Sequence, residues 1–143
     1  MESRSAGHLK TRLQGALLCI DADADSVAAV QAIVKPHGGV RLLEARRGRE
    51  GLRLAQAERP GLVLLDLDLP DIDALDVVRQ LGALRPDYEG RIVLLTRQPY
   101  SSRVVEAMSL GACEYWHKPV HEERLATEMR RALQSTPEIP APC

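Results

Sequence analysis

Apolar residues along this chain fall into two alternating spacings. Continuous apolar runs stand at Ala16–Ile20 (ALLCI), Leu62–Leu65 (LVLL) and Ile92–Leu95 (IVLL). A weaker run lies at Val40–Leu43 (VRLL) and a mixed one at Cys113–Trp116 (CEYW). Runs this short and this apolar predict strands covered on both faces, as in a parallel sheet. Between them the spacing lengthens to that of a helix face. Val27, Val30, Ile33 and Val34 share one stripe, Leu75, Val78 and Leu81 a second, and Leu125, Met129, Ala132 and Leu133 a third. Weaker stripes predict helices over Gly51–Arg59 and Ser101–Leu110. Asp25 or Ser26 is suited to cap the first helix, and Ser101 or Ser102 the fourth. Gly38-Gly39, Pro60-Gly61 and Gly90 mark turns between elements.

The pattern is strand then helix, five times over. Alternation of this kind predicts an α/β domain with a five-stranded parallel sheet and helices on both faces. Right-handed crossovers make the sheet open and doubly wound. One domain is expected over residues 14–134, since 143 residues is the ordinary size of one. Residues 1–13 are polar and read as a loose N-terminal segment. Residues 135–143, STPEIPAPC, hold three prolines and read as a tail or the start of a linker.

Composition narrows the function classes. Formal net charge is -1, so nothing demands a basic face, and nucleic-acid binding by this domain has no electrostatic support. The clusters Arg46-Arg47-Gly48-Arg49 and Arg130-Arg131 read as solvated surface. No apolar run approaches the ~20 residues that span a bilayer, and MESRSAGHLK lacks the apolar centre of a signal peptide. Three widely spaced cysteines, Cys19, Cys113 and Cys143, suit a reducing compartment, and a cytoplasmic location is expected. His8, His37, His117 and His121 lack metal-ligand spacing; His117 reads as structural.

Ligands of open α/β sheets bind beyond the carboxyl ends of the strands. Asp21 follows ALLCI, Asp66 follows LVLL, Thr96 follows IVLL, and Lys118 follows the last run and precedes Pro119. Two carboxylates suit a hard divalent cation such as Mg²⁺. A hydroxyl and an ammonium suit phosphate oxygens.

Four stretches in this order, LLCIDADADS at 17–26, PGLVLLDLDLPDIDALDVVRQL at 60–81, IVLLT at 92–96 and GACEYWHKPV at 111–120, resemble the receiver domain of bacterial two-component response regulators, the CheY-like family. The resemblance covers roughly residues 14–134. It implies a flavodoxin-like sheet of strand order 2-1-3-4-5. It implies that Asp66 accepts a phosphoryl group from a phosphohistidine of a sensor histidine kinase or histidine phosphotransfer protein. It further implies that Asp21, Asp66 and the backbone carbonyl of Asp68 hold Mg²⁺, and that Lys118 pairs with the phosphoryl oxygens after a cis Lys-Pro bond. Thr96 and Tyr115 would act as a hydroxyl–aromatic switch. The switch would remodel the face of the fourth helix, fifth strand and fifth helix, a surface for partners or a homodimer. Such a domain is a phosphoacceptor rather than an enzyme.

Several positions depart from the family pattern. Ala22 stands where a second acid usually ligates the metal, which weakens the expected Mg²⁺ site; the side chain of Asp23 is expected to point elsewhere. Arg97 stands where a small residue usually follows the threonine, to block access or to bind phosphate itself. Ala74 replaces a common glycine and is costly if that position needs positive φ. Val120 replaces a frequent aromatic. The alternative reading is therefore a degenerate receiver that binds a partner or a second copy without phosphate. A haloacid dehalogenase-type phosphatase is disfavoured because DLDLP lies mid-chain, and a dinucleotide fold because no G-x-G-x-x-G follows the first strand. No output domain is visible, and the chain reads equally as a stand-alone regulator or a receiver cut from a longer protein.

Overall fold

The computed structural model describes residues 11–137. Along them run β1 Thr11–Ile20, α1 Ala24–Val34, β2 Val40–Ala45, α2 Gly48–Glu58, β3 Leu62–Leu65, α3 Ala74–Gly82, β4 Arg91–Thr96, α4 Ser102–Leu110, β5 Glu114–His117, α5 Glu122–Ala132 and β6 Gln134–Pro137. The first five strands form a parallel sheet in the order β2-β1-β3-β4-β5, the doubly wound arrangement expected.

The apolar runs work as strands because each buries both of its faces. Alternate residues point to opposite sides of a strand, so the sheet divides its side chains between two layers. Leu18, Ile20, Val63, Leu65, Ile92 and Leu94 pack with α2, α3 and α4 on one side. Leu17, Cys19, Leu62, Leu64, Val93 and Leu95 pack with α1 and α5 on the other. Every residue of β3 is buried, which is why LVLL tolerates no polar member until the strand ends.

The helix stripes lie where the spacing put them. Val27, Val30 and Val34 of α1, Leu75, Val78 and Leu81 of α3, and Leu125 and Met129 of α5 are buried. The caps differ in part. Asp23, rather than Asp25 or Ser26, is the N-cap of α1, and its carboxylate accepts from the Asp25 amide at 3.0 Å. Ser101 is the N-cap of α4 without a side-chain bond. Ala74 needs no special backbone: it opens α3 behind the cap Asp73, and Arg59 is the one non-glycine residue with positive φ among the described residues.

Two strands run differently from the apolar pattern. β5 is shifted one residue onward, to Glu114–His117. β1 begins at Thr11, five residues before the apolar run. Its first part, Thr11–Gln14, pairs antiparallel with β6, and from Gly15 onward it pairs with β2. Thr11–Leu13, read as loose from composition, thus open β1, and Ser135–Pro137 lie in β6; the rest of both terminal assignments falls outside the described residues. Arg131, read as plain surface, pairs with Glu114 at 3.2 Å, and buried Glu128 of α5 is held by Arg91 of β4. Among the described residues no helix is long and apolar enough to cross a membrane.

Candidate functional site: a lysine between two strand-end carboxylates

Strand order reverses between β1 and β3, because β2 lies beyond β1 while β4 lies beyond β3. A crevice opens at the carboxyl ends of strands at such a switch point. Asp21 and Asp66 are the first residues past those two strands. The Asp66 amide donates to the Ile20 carbonyl and the Asp21 amide to the Ala45 carbonyl. The sheet therefore continues one rung past the apolar runs and fixes both carboxylates.

Both are buried, Asp21 at 1% exposure and Asp66 at 5%. Buried carboxylates need partners, and Lys118 supplies the charge. Its ammonium is 2.9 Å from Asp21 Oδ2 and 3.0 Å from Asp66 Oδ2. Lys118 is itself buried and stands at the end of β5, where its amide donates to the Thr96 carbonyl at 2.8 Å. The Lys118–Pro119 bond is cis. Burial pulls an ammonium pKa down, but the bonds from Asp21 and Asp66 outweigh it and leave Lys118 raised. Burial pushes the Asp66 carboxyl up, against the hydrogen bond from Lys118. Asp66 thus combines a buried carboxylate oxygen with a cation already aligned on it. Carboxylates are among the side chains that can act as nucleophiles.

Thr96 is fully buried at the end of β4. Its hydroxyl accepts from the Gln98 amide at 3.1 Å. Gln98 was not singled out from sequence, yet it touches three of the residues that were. Besides the bond to Thr96, its side chain donates to Asp68 Oδ1 at 2.6 Å and its carbonyl accepts from the Tyr115 hydroxyl at 2.7 Å. Its place two residues past a strand-end threonine was the only available signal. Tyr115 is half-buried with its ring edge-on to exposed Tyr100, centroids 5.8 Å apart, while Trp116 on the other face is core. His117 bridges the carbonyls of Lys118 and Arg97, a structural role as read.

Arg103 was also missed. It reaches from α4 to the Leu67 carbonyl at 3.3 Å and to Asp73 at 3.2 Å, tying α4 to the loop after Asp66. Asp71, one of the acidic neighbours of Asp66, accepts from the Gly48 and Arg49 amides at the start of α2. The Cys19 thiol, close behind the site, is pushed up to about 12, first by burial, and stays protonated.

Asp23 does not point away. One carboxylate oxygen, Oδ2, lies 3.6 Å from the Lys118 ammonium and 2.5 Å from the Arg97 guanidinium. Arg97 thereby holds the Asp23 carboxyl below its ordinary range. A cleft of about 570 Å³ opens alongside, lined by Ala22, Asp68, Gln98 and Arg103 among others.

Among the described residues no group of three acidic, histidine or cysteine side chains is placed to hold a metal. Two buried carboxylates and the main chain of Asp68 remain, whose amide donates to Asp66 Oδ1 at 3.2 Å. Oxygen donors of this kind suit Mg²⁺, with one carboxylate fewer because Ala22 offers only a methyl group.

Comparison with known proteins gives this geometry its context. The family model for the response regulator receiver domain matches residues 17–130. The transcriptional regulatory protein AfsQ1 of Streptomyces coelicolor is 33% identical over 118 residues, covering 82% of this chain and 51% of that protein. The chain thus spans about half the length of that relative. The solved BeF3-activated DrrB receiver domain superposes with a TM-score of 0.71 at 24% identity, covering 83% of this chain and 97% of that one. The Mn²⁺-bound form of response regulator Rcp1 superposes with a TM-score of 0.66 at 23% identity, covering 82% and 90%. Both likenesses concern the fold, and the ions named are those of the relatives. The match over most of the sheet and its helices places this chain in the CheY-like response regulator receiver domains of two-component systems.

Proposed function

We propose that Asp66 is the phosphoacceptor. The observation that carries this is a buried carboxylate at the switch point of the sheet, held 3.0 Å from a buried lysine that also binds Asp21. In the reaction an Asp66 carboxylate oxygen attacks the phosphorus of a phosphohistidine. A P–O bond forms, the P–N bond breaks, and the imidazole nitrogen keeps the electron pair and takes a proton. Lys118 offsets charge on the transferring oxygens, for phosphoryl transfer is mostly positioning and electrostatics. Asp21, Asp66 and the Asp68 carbonyl are the groups that would hold Mg²⁺, which supplies further positive charge when bound. Thr96, Gln98 and Tyr115 form the line along which the site reaches β5. Tyr100, edge-on to Tyr115 of β5, and Val105 of α4 are both exposed, which favours the face of α4, β5 and α5 as the surface for a partner or a second copy.

Ala22 favours a second reading, a receiver that serves as a phosphate-independent interaction module. One experiment separates the two. The protein is incubated with a small acyl-phosphate donor over a range of Mg²⁺, and intact mass is followed beside Asp66→Asn and Ala22→Asp. Mass gain of one phosphoryl group in the wild type and none in Asp66→Asn is the expected outcome. Ala22→Asp should lower the Mg²⁺ needed for half-maximal gain by about tenfold, the effect of one added charged ligand. A wild type that gains no mass, with a cognate kinase also failing, establishes the second reading instead.

A further inference from the structure

Two departures from the family pattern, Ala22 and Arg97, adjoin Asp23, the first in sequence and the second by a hydrogen bond. Arg97 donates to Asp23 Oδ2 at 2.5 Å, and the same oxygen is 3.6 Å from the Lys118 ammonium. Lys118 in turn is 3.0 Å from Asp66. Charges of alternating sign therefore run from Arg97 through Asp23 and Lys118 to Asp66 without interruption. The Arg97 guanidinium is one carboxylate away from the ammonium that faces the phosphoacceptor.

The two departures push the site in one direction. Ala22 removes a negative charge that would help hold a metal. Arg97 adds a positive charge at the mouth. Asp21, Asp23 and Asp66 carry three negative charges against the two positive charges of Lys118 and Arg97. Phosphorylation replaces the single charge of Asp66 by about two on the phosphoryl group, so the demand for a cation rises when the group arrives. Arg97 is free to meet it. Its side chain is 65% exposed, and an exposed pair with one carboxylate is held only weakly in water. A phosphoryl group offers a guanidinium more charge and two oxygens at once.

We propose that Arg97 is a second phosphoryl-binding cation of this site, kept in reserve on Asp23 and transferred to the phosphoryl oxygens, which lessens the dependence on a divalent metal. The proposal rests on Asp66 being the phosphoacceptor. Asp23 acts through Arg97: it positions the guanidinium and competes for it.

The test is binding of beryllofluoride, a phosphoryl mimic, measured by calorimetry at fixed and at varied Mg²⁺. The proteins are wild type, Arg97→Ala, Arg97→Lys, Asp23→Asn and Asp66→Asn. Asp23→Asn keeps the side-chain oxygen that caps α1 and removes the charge. Arg97→Ala should weaken binding about tenfold, the loss of one charge-assisted hydrogen bond, and raise the Mg²⁺ needed for half-occupancy. Arg97→Lys should recover part of this, and Asp23→Asn should bind more tightly than wild type. Arg97→Ala binding as well as wild type, with the Mg²⁺ midpoint unmoved, overturns the proposal and leaves Asp66 as acceptor. Wild type and Asp66→Asn behaving alike overturns both.

Discussion

Asp66 and Lys118 show why a working residue is also a costly one. The Asp66 carboxyl is raised above its ordinary 3.8, first by burial and against the bond from Lys118. In the native state it therefore keeps its proton to higher pH than in the unfolded chain. Between the two values the native state binds more protons, so stability falls as pH rises through that window. Asp66→Asn keeps the shape and removes the charge. Its melting temperature should exceed that of wild type at neutral pH by about 3 °C, the shift that roughly 1 kcal/mol produces in a domain of this size. The difference should close as pH falls toward the ordinary carboxyl value. A mutant melting at or below wild type at neutral pH would mean that pairing with Lys118 outweighs burial. Lys118 shifts the same way in a different window: its pKa is raised, so its charged form is the favoured one, and its contribution is full below the unfolded 10.5 and is lost as pH rises through the native value. At this scale the sequence showed which residues end the strands. It did not show Arg97 meeting Asp23, because the partners are 74 residues apart and neither lies in an apolar pattern. Gln98 escaped notice for a related reason, since two of its three contacts are made by backbone atoms that any residue carries.

Elements that bury both faces were the legible ones. LVLL and IVLL could be read as strands because the parallel sheet leaves them no polar face. β5 was read one residue early because it is an edge strand, with Glu114 and Tyr115 half-exposed and only Trp116 buried. α2 was read weakly for a packing reason. It approaches β1 through Gly51, where an added Cβ would stand 2.4 Å from Ile20 Cδ1 and 2.7 Å from Ile20 Cγ1. A small residue there is invisible to hydrophobic periodicity yet sets the distance between helix and sheet. Gly51→Ala improves helix propensity by ~1 kcal/mol but overpacks a fully buried isoleucine, which costs about 1–3 kcal/mol. The net outcome should be a lower denaturant midpoint with an unchanged slope. A midpoint above wild type would show that Ile20 yields freely and that α2 is not held by this contact. The strand ends α2 leans on are those that present Asp21, so the same variant should also slow phosphorylation at Asp66.

For the molecule as a unit, the two ends of β1 do different work. Its last residues, Leu17–Ile20, lie between β2 and β3 and lead into Asp21. Its first residues, Thr11–Gln14, pair antiparallel with β6. Gly15, with φ of 132°, sits where the pairing changes, a conformation that a side chain disfavours. β6 was unreadable in sequence because QSTP is polar and contains proline, and its pairing needs a strand more than 100 residues earlier. From Gln14 to Asp21 is seven residues, roughly 23 Å along a strand, so β6 closes the pole of the sheet remote from Asp21 and Asp66. Stability and chemistry should therefore separate when the chain is shortened after Leu133. Amides over residues 11–14 should lose protection from hydrogen exchange and the melting temperature should fall by about 3–6 °C, as for a loss of roughly 1–2 kcal/mol. The rate of phosphoryl gain at Asp66 should stay within about twofold of wild type, because Asp21, Lys118 and the strand ends that carry them keep every contact. A shortened chain that is stable but phosphorylates slowly would show that the two poles communicate through β1, across the change of pairing at Gly15.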